Sequence, residues 1–213
     1  MRIFFRLMLL LSIAALFCYC SGSKPKKSVE NLKSAFNQES VTAEKYSRFA
    51  QKALQEGFDT ISQLFIAAAK SEIIHASNYV KVIQKYGGNV GAAEIASFEV
   101  KTTAENLQSA INGETFKVLT MYSGFIRDAE NEKAPDAAKS FTWASDSEKK
   151  HLKYFRQAMA TIVNGNETNL PYTWLICPTC GNTYNTTDVK EMCDFCLNKQ
   201  ENFVGYQAKA EGE

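Results

Sequence analysis

Four stretches of the chain place apolar residues in alternating steps of three and four. Over 28–56 the repeating positions are Leu32, Phe36, Glu39, Ala43, Tyr46, Ala50 and Ala53; over 58–86 they are Phe65, Ala68, Glu72, His75, Tyr79, Val82 and Tyr86. Over 104–131 they are Leu107, Ile111, Glu114, Val118, Met121 and Phe125, and over 136–163 Phe141, Ala144, Glu148, His151, Phe155, Ala158 and Ile162. That period puts each set on one stripe of a helix, so the pattern predicts four amphipathic helices packed stripe to stripe. Gly57 and Pro135 mark short turns, and Gly87-Gly88 ends the second helix. Residues 87–103 form a longer connection, so the bundle is two hairpins joined by one crossover.

Each of the four stripes carries a glutamate among its apolar residues. A buried carboxylate is costly unless it is paired or bound to metal, and four on four stripes need one explanation. The chain has two histidines, His75 and His151, and each follows a stripe glutamate by three residues. At that spacing a carboxylate and an imidazole share a helix face and can hold one ion. Glu39, Glu72, His75, Glu114, Glu148 and His151 together suit a pair of iron ions, with manganese as the alternative: hard oxygen donors and one nitrogen per metal. Glu39 and Glu72 are 33 residues apart, Glu114 and Glu148 are 34 apart, and each hairpin turn falls near the midpoint. An equal rise per residue then brings the paired carboxylates to similar heights. Solvated helix faces would explain one Glu-x-x-His, but not two with two matched glutamates on the same stripes. Tyr46 and Tyr122, on or beside the stripes, are candidates for hydrogen bonds to the ligands; ordinary core tyrosines are the competing reading.

Composition sets the outer limits. The 213 residues, 45% of them hydrophobic, suffice for one cored domain and a small module, and a net charge of +1 gives no basic stripe for nucleic acid. Arg2 and Arg6 precede or flank an apolar run from Leu7 to Phe17, shorter than the roughly 20 residues a membrane span needs. The run reads as an export signal, and Cys20 before Ser-Gly-Ser resembles a lipoprotein acceptor cysteine. The expected organisation is a signal over 1–20, a linker over 21–27, the bundle over 28–165 and a metal-binding module over 172–207. The expected location is periplasmic or cell-envelope, with a membrane tether if Cys20 carries lipid.

The four remaining cysteines form two pairs, Cys177-Pro-Thr-Cys180-Gly181 and Cys193-Asp-Phe-Cys196, with twelve residues between Cys180 and Cys193. Two Cys-x-x-Cys knuckles at this separation indicate a four-thiolate site for iron or zinc. Disulfides are the alternative in an exported protein, but paired knuckles are better placed to chelate. Spacing alone favours zinc; a redox bundle on the same chain favours iron, because zinc carries no electrons.

Over about residues 28–205 the chain resembles rubrerythrin. The carriers are Gln38-Glu39-Ser40, Glu72-Ile-Ile-His75-Ala76, Asn112-Gly-Glu114 with Met121-Tyr122, Glu148-Lys-Lys-His151 and the rubredoxin-like cysteine pairs. The resemblance implies an all-α, ferritin-like four-helix bundle holding two irons, with a small C-terminal rubredoxin-like domain holding a third. It implies reduction of hydrogen peroxide to water, an electron donor not named by the sequence, and a homodimer in which one subunit's thiolate iron serves the other's bundle. It further implies that Glu72 and Glu148 bridge the metals, with Glu39 and His75 on one and Glu114 and His151 on the other. The competing class is an iron-oxidising, iron-sequestering protein with a structural zinc tail. One position departs from the family: Lys117 stands where a glutamate is expected three residues after Glu114. Its ammonium can approach the site, and His75 then stays a permanent ligand.

Overall fold

The computed structural model describes residues 24–165 and 170–207. Helices α1 (Lys26–Gln55) and α2 (Asp59–Lys85) form one hairpin. The second hairpin begins with α3 (Thr103–Phe116), runs through a π-helical turn (Lys117–Met121) into α4 (Tyr122–Asn131), and returns as α5 (Pro135–Asn164). The helix expected over 104–131 is therefore present but widened by one π turn, where the Tyr122 N–H reaches the Lys117 carbonyl five residues back. The crossover over 88–102 carries no helix.

Both hairpins use the same three-residue turn. Its middle residue is left-handed, Gly57 at φ 82° and Lys133 at φ 54°. The next residue in each closes onto the helix carbonyl five back, Phe58 to Ala53 at 2.9 Å and Ala134 to Ala129 at 2.8 Å. Glu72 and Glu148 each lie 13 residues after the first residue of their helices. Glu39 lies 16 residues before Gln55, whereas Glu114 lies 17 before Asn131. The spacing difference between the hairpins is thus the extra residue in the π turn.

Two aromatic clusters close the cage from opposite ends. Tyr46, Phe49, Phe65 and Phe155 pack on one side, with Tyr46 and Phe155 edge to face at 5.2 Å between centroids. Tyr79, Tyr122 and Phe141 pack on the other. The C-terminal unit is a three-stranded antiparallel sheet of β1 (Thr173–Ile176), β2 (Thr183–Asn185) and β3 (Val204–Gln207), in the order β2-β1-β3. It is not a loose tail: Trp174 and Ile176 of β1 are fully buried in the bundle core, with Trp174 against Tyr154 at 4.7 Å between centroids. Among the described residues, no helix is long and apolar enough to cross a membrane. The expected export signal and Cys20 lie outside the described residues.

Candidate metal centre

Helical phase brings all six expected residues to one buried point. Glu39 from α1, Glu72 and His75 from α2, Glu114 from α3, and Glu148 and His151 from α5 are each at most 2% exposed. Their donor atoms form two groups, Glu39, Glu72, His75 and Glu148, and Glu72, Glu114, Glu148 and His151, with the atoms of each group within 4.8 Å of one another. Glu72 and Glu148 belong to both. Both imidazoles turn Nδ1 toward the carboxylates: His75 is 3.1 Å from Glu72 and 3.3 Å from Glu148, and His151 is 2.7 Å from Glu148. The two outer glutamates take tyrosine hydroxyls in a reciprocal cross. Tyr46 on α1 donates to Glu114, and Tyr122 on α4 donates to Glu39. Tyr46 follows Glu39 by seven residues and Tyr122 follows Glu114 by eight, and the π turn absorbs the difference. Tyr79, which the sequence reading placed only in the core, donates to the Tyr122 hydroxyl at 2.8 Å.

Lys117 enters the middle of this arrangement. Its ammonium lies 3.1 Å from Glu39, 3.1 Å from Glu72, 2.8 Å from Glu114 and 3.2 Å from Glu148. Burial opposes its charge, but these four neighbours outweigh burial and hold its pKa well above the ordinary lysine value. Burial and Glu72 push Glu39 well up, and burial with Glu148 raises Glu114 to about 8. At the two inner glutamates burial again opposes ionisation, yet Lys117 and the imidazoles prevail; Glu72 falls well below its usual range and Glu148 to about 2. His151 rises to about 10, its hydrogen bonds to Glu148 and Glu72 overcoming burial. Metal binding by carboxylates and imidazoles displaces the protons they hold, so loading of the cage depends on pH. Each charge so deeply buried costs several kcal/mol unless compensated, and the donor set of four carboxylates and two neutral-capable imidazoles matches what two hard divalent ions require.

The four cysteines also converge, with Cys177 and Cys196 sulfurs 3.4 Å apart and Cys180 and Cys193 sulfurs 3.4 Å apart. Each knuckle closes on its own backbone, Gly181 N–H to Cys177 O at 2.9 Å and Leu197 N–H to Cys193 O at 3.0 Å. Hydrogen bonds from Cys177 and Cys180 hold the Cys193 thiol far down, while the sulfur neighbours and burial push Cys180 far up. Four sulfurs packed this closely can all become thiolates only with a metal cation to hold them.

The two centres touch. Ser71 donates to the Gly181 carbonyl at 2.6 Å and lies 3.5 Å from His75 Nε2; Thr183 lies 3.0 Å from His151 Nε2 and donates to the same carbonyl at 3.4 Å. One knuckle carbonyl thus anchors both imidazoles through two hydroxyls, fixing which ring nitrogen faces the cage. Gly181 has φ 83°, and a methyl group there would stand 2.5 Å from His75 Nε2. At the matching position of the other knuckle, away from the bundle, the chain tolerates Leu197 at φ 60° and 70% exposed. Asn78 to the Thr179 carbonyl at 2.8 Å and Trp143 to the Phe195 carbonyl at 3.1 Å complete the docking. Ser71 and Thr183 had no signature in the sequence, since small hydroxyl residues are common and their partners lie 110 and 32 residues away.

The sequence matches the rubrerythrin family over residues 30–159. The chain belongs to the rubrerythrin family. Rubrerythrin-2 of Clostridium acetobutylicum is 30% identical over 86% of the chain and 98% of its own length. Nigerythrin of Nitratidesulfovibrio vulgaris is 29% identical over 84% of the chain and 86% of its own. The solved structure of fully reduced, all-ferrous nigerythrin superposes with a TM-score of 0.76, at 29% identity and with the same coverage of each chain. A bacterioferritin from Desulfovibrio desulfuricans, 19% identical over 68% of the chain and 85% of its own, shares the fold at a TM-score of 0.64. The fold is therefore ferritin-like, and the carboxylate cage and four-cysteine cluster are those of a rubrerythrin-type di-iron protein.

Proposed function

We propose that this rubrerythrin is a non-haem di-iron peroxidase that reduces hydrogen peroxide to water. The observation that carries the reading is the convergence of two Glu-x-x-His helices and two further glutamates on one buried point, with a four-thiolate cluster docked against its imidazoles. Glu39, Glu72, His75 and Glu148 would hold one iron, and Glu72, Glu114, Glu148 and His151 the other. Bound ferrous ions supply two electrons and polarise the peroxide oxygens. The protein's own share is positional. Glu72 and Glu148 tie the two ion sites together, and the tyrosine hydroxyls of Tyr46 and Tyr122 fix the outer carboxylates. The aromatic clusters keep bulk water from the site, which strengthens every charge interaction inside it. Cys177, Cys180, Cys193 and Cys196 would hold the third iron, whose single-electron chemistry suits a relay.

The resemblance assigns that relay to a partner subunit of a homodimer. In this chain the four-cysteine unit packs on its own bundle, which supports delivery within one chain. A homodimer remains part of the proposal, as do an external electron donor and an exported, envelope location. Iron-replete protein should contain about three irons per chain and consume peroxide anaerobically when a reduced donor is supplied. One bound zinc with an empty bundle and no peroxide loss would contradict the reading. Cell fractionation tests the location: the protein should be recovered outside the cytoplasm, with Cys20→Ser releasing it from membranes. An intact N-terminus on soluble cytoplasmic protein would remove that part.

A further inference from the structure

Lys117 sits where the cage needs positive charge. Its ammonium contacts one oxygen from each of the four glutamates: Glu39 Oε2, Glu72 Oε1, Glu114 Oε2 and Glu148 Oε1. Two of these, Glu114 Oε2 and Glu148 Oε1, are buried and receive no hydrogen bond of good geometry among the described residues; the ammonium lies against both, with His75 Nδ1 also 3.3 Å from Glu148 Oε1. Glu72 and Glu148 are the carboxylates shared by both ligand groups, which puts the ammonium between the two positions where ions would sit. A divalent ion bound by those carboxylates would stand a few ångströms from the ammonium in a low-dielectric interior, where like charges repel strongly. The lysine is tethered by a flexible four-carbon stem from the first residue of the π turn, so withdrawal requires rotation of side-chain bonds and no break in the bundle.

We propose that Lys117 is a tethered cation that fills the cage of the metal-free protein and withdraws when metal enters, so that loading is an exchange of the ammonium for metal ions. The inference rests on the reading of the six residues as metal ligands. It accounts for how a chain with four buried glutamates stays folded before it meets metal. It also makes loading selective: an ion must offset the ion pairs lost with the ammonium.

The test compares full-length parent with Lys117→Met, using Mn²⁺ because hard ions favour the carboxylates over the thiolates. Free Mn²⁺ is followed by electron paramagnetic resonance, and the metal-free proteins are melted in parallel. The metal-free variant should melt about 10 °C lower, since four buried carboxylates lose their cation. It should bind Mn²⁺ at least about tenfold more tightly, because no ion pair must be given up. If Lys117→Met does not fold without metal, the parent decides alone. Its buried ammonium should give a ¹H–¹⁵N signal that disappears or moves when Zn²⁺ is added beyond filling of the four cysteines. Equal or weaker Mn²⁺ binding by the variant, or an unchanged ammonium signal with the cage filled, overturns the exchange while leaving the metal site standing. Failure of both proteins to bind any ion in the cage overturns the site and the exchange together.

Discussion

Glu72 and Glu148 face two imidazoles and one ammonium, whereas Glu39 and Glu114 each face a tyrosine hydroxyl and the same ammonium. This division was legible in part. Position on the helical stripe brought all six candidate ligand residues to one buried point, and Tyr46 and Tyr122 with them, because one buried face admits few polar residues and each must find a partner. Stripe position also brought Lys117 near the site, but not to its centre: a flexible side chain's endpoint is set by the charges it finds, here on four separate helical segments. Thr183 and Ser71 escaped because their role is created by docking of a distant unit. Thr183 is the more direct test, since it meets His151 at 3.0 Å with no other protein group on that nitrogen among the described hydrogen bonds. Thr183→Val should weaken metal binding by the cage about tenfold, measured by competition with a chelating dye, while the thiolate centre keeps its spectrum. Unchanged affinity would show that packing alone orients the ring.

The π turn shows how an element can hide from its own pattern. One extra residue between Glu114 and Tyr122 keeps both on the inner face, so the apolar repeat continues and only the 34-against-33 spacing records the insertion. Such turns sit at functional sites because they re-aim a helix face without ending the helix. The start of α3 depends on a different device. Thr102 and Glu105 form a capping box, and Glu56, at the end of α1, accepts from the Thr103 N–H at 2.8 Å and its hydroxyl at 2.7 Å. Those two bonds hold the Glu56 pKa down to about 2. A carboxylate whose pKa falls on folding adds stability above its unfolded value and loses it as pH drops through the folded one. Glu56→Gln should therefore cost about 1 kcal/mol at pH 7, the usual size of a lost helix cap. The gap between parent and variant in urea unfolding should close between the ordinary glutamate range and about pH 2. A gap that is constant with pH would place the effect elsewhere.

At the scale of the molecule, bundle and cysteine module were both legible, because periodicity and paired knuckles are local signals. Their mutual placement was not, since it depends on Trp174 entering the bundle core and on Gly181 lying against His75. Gly181→Ala is the substitution that disturbs the contact between the two centres without replacing any of the ten candidate metal-binding residues. It strains a residue at φ 83° and drives a methyl group into the imidazole. Donor-dependent peroxide turnover should fall at least about tenfold, because electron delivery depends on close and fixed centres. The thiolate-to-iron absorption should persist, since Cys177, Cys180, Cys193 and Cys196 are untouched. Full turnover in this variant would mean that electrons reach the cage by another route, such as a partner subunit. The central claim, that the cage spends its electrons on peroxide, is tested most directly by mixing fully reduced, iron-loaded protein anaerobically with hydrogen peroxide and counting electrons. The account predicts rapid oxidation with about three reducing equivalents lost per chain, two from the bundle and one from the thiolate iron, and no accumulation of further ferric iron. A reduced protein that peroxide leaves unchanged, or one that instead goes on taking up and storing ferric iron, would contradict it.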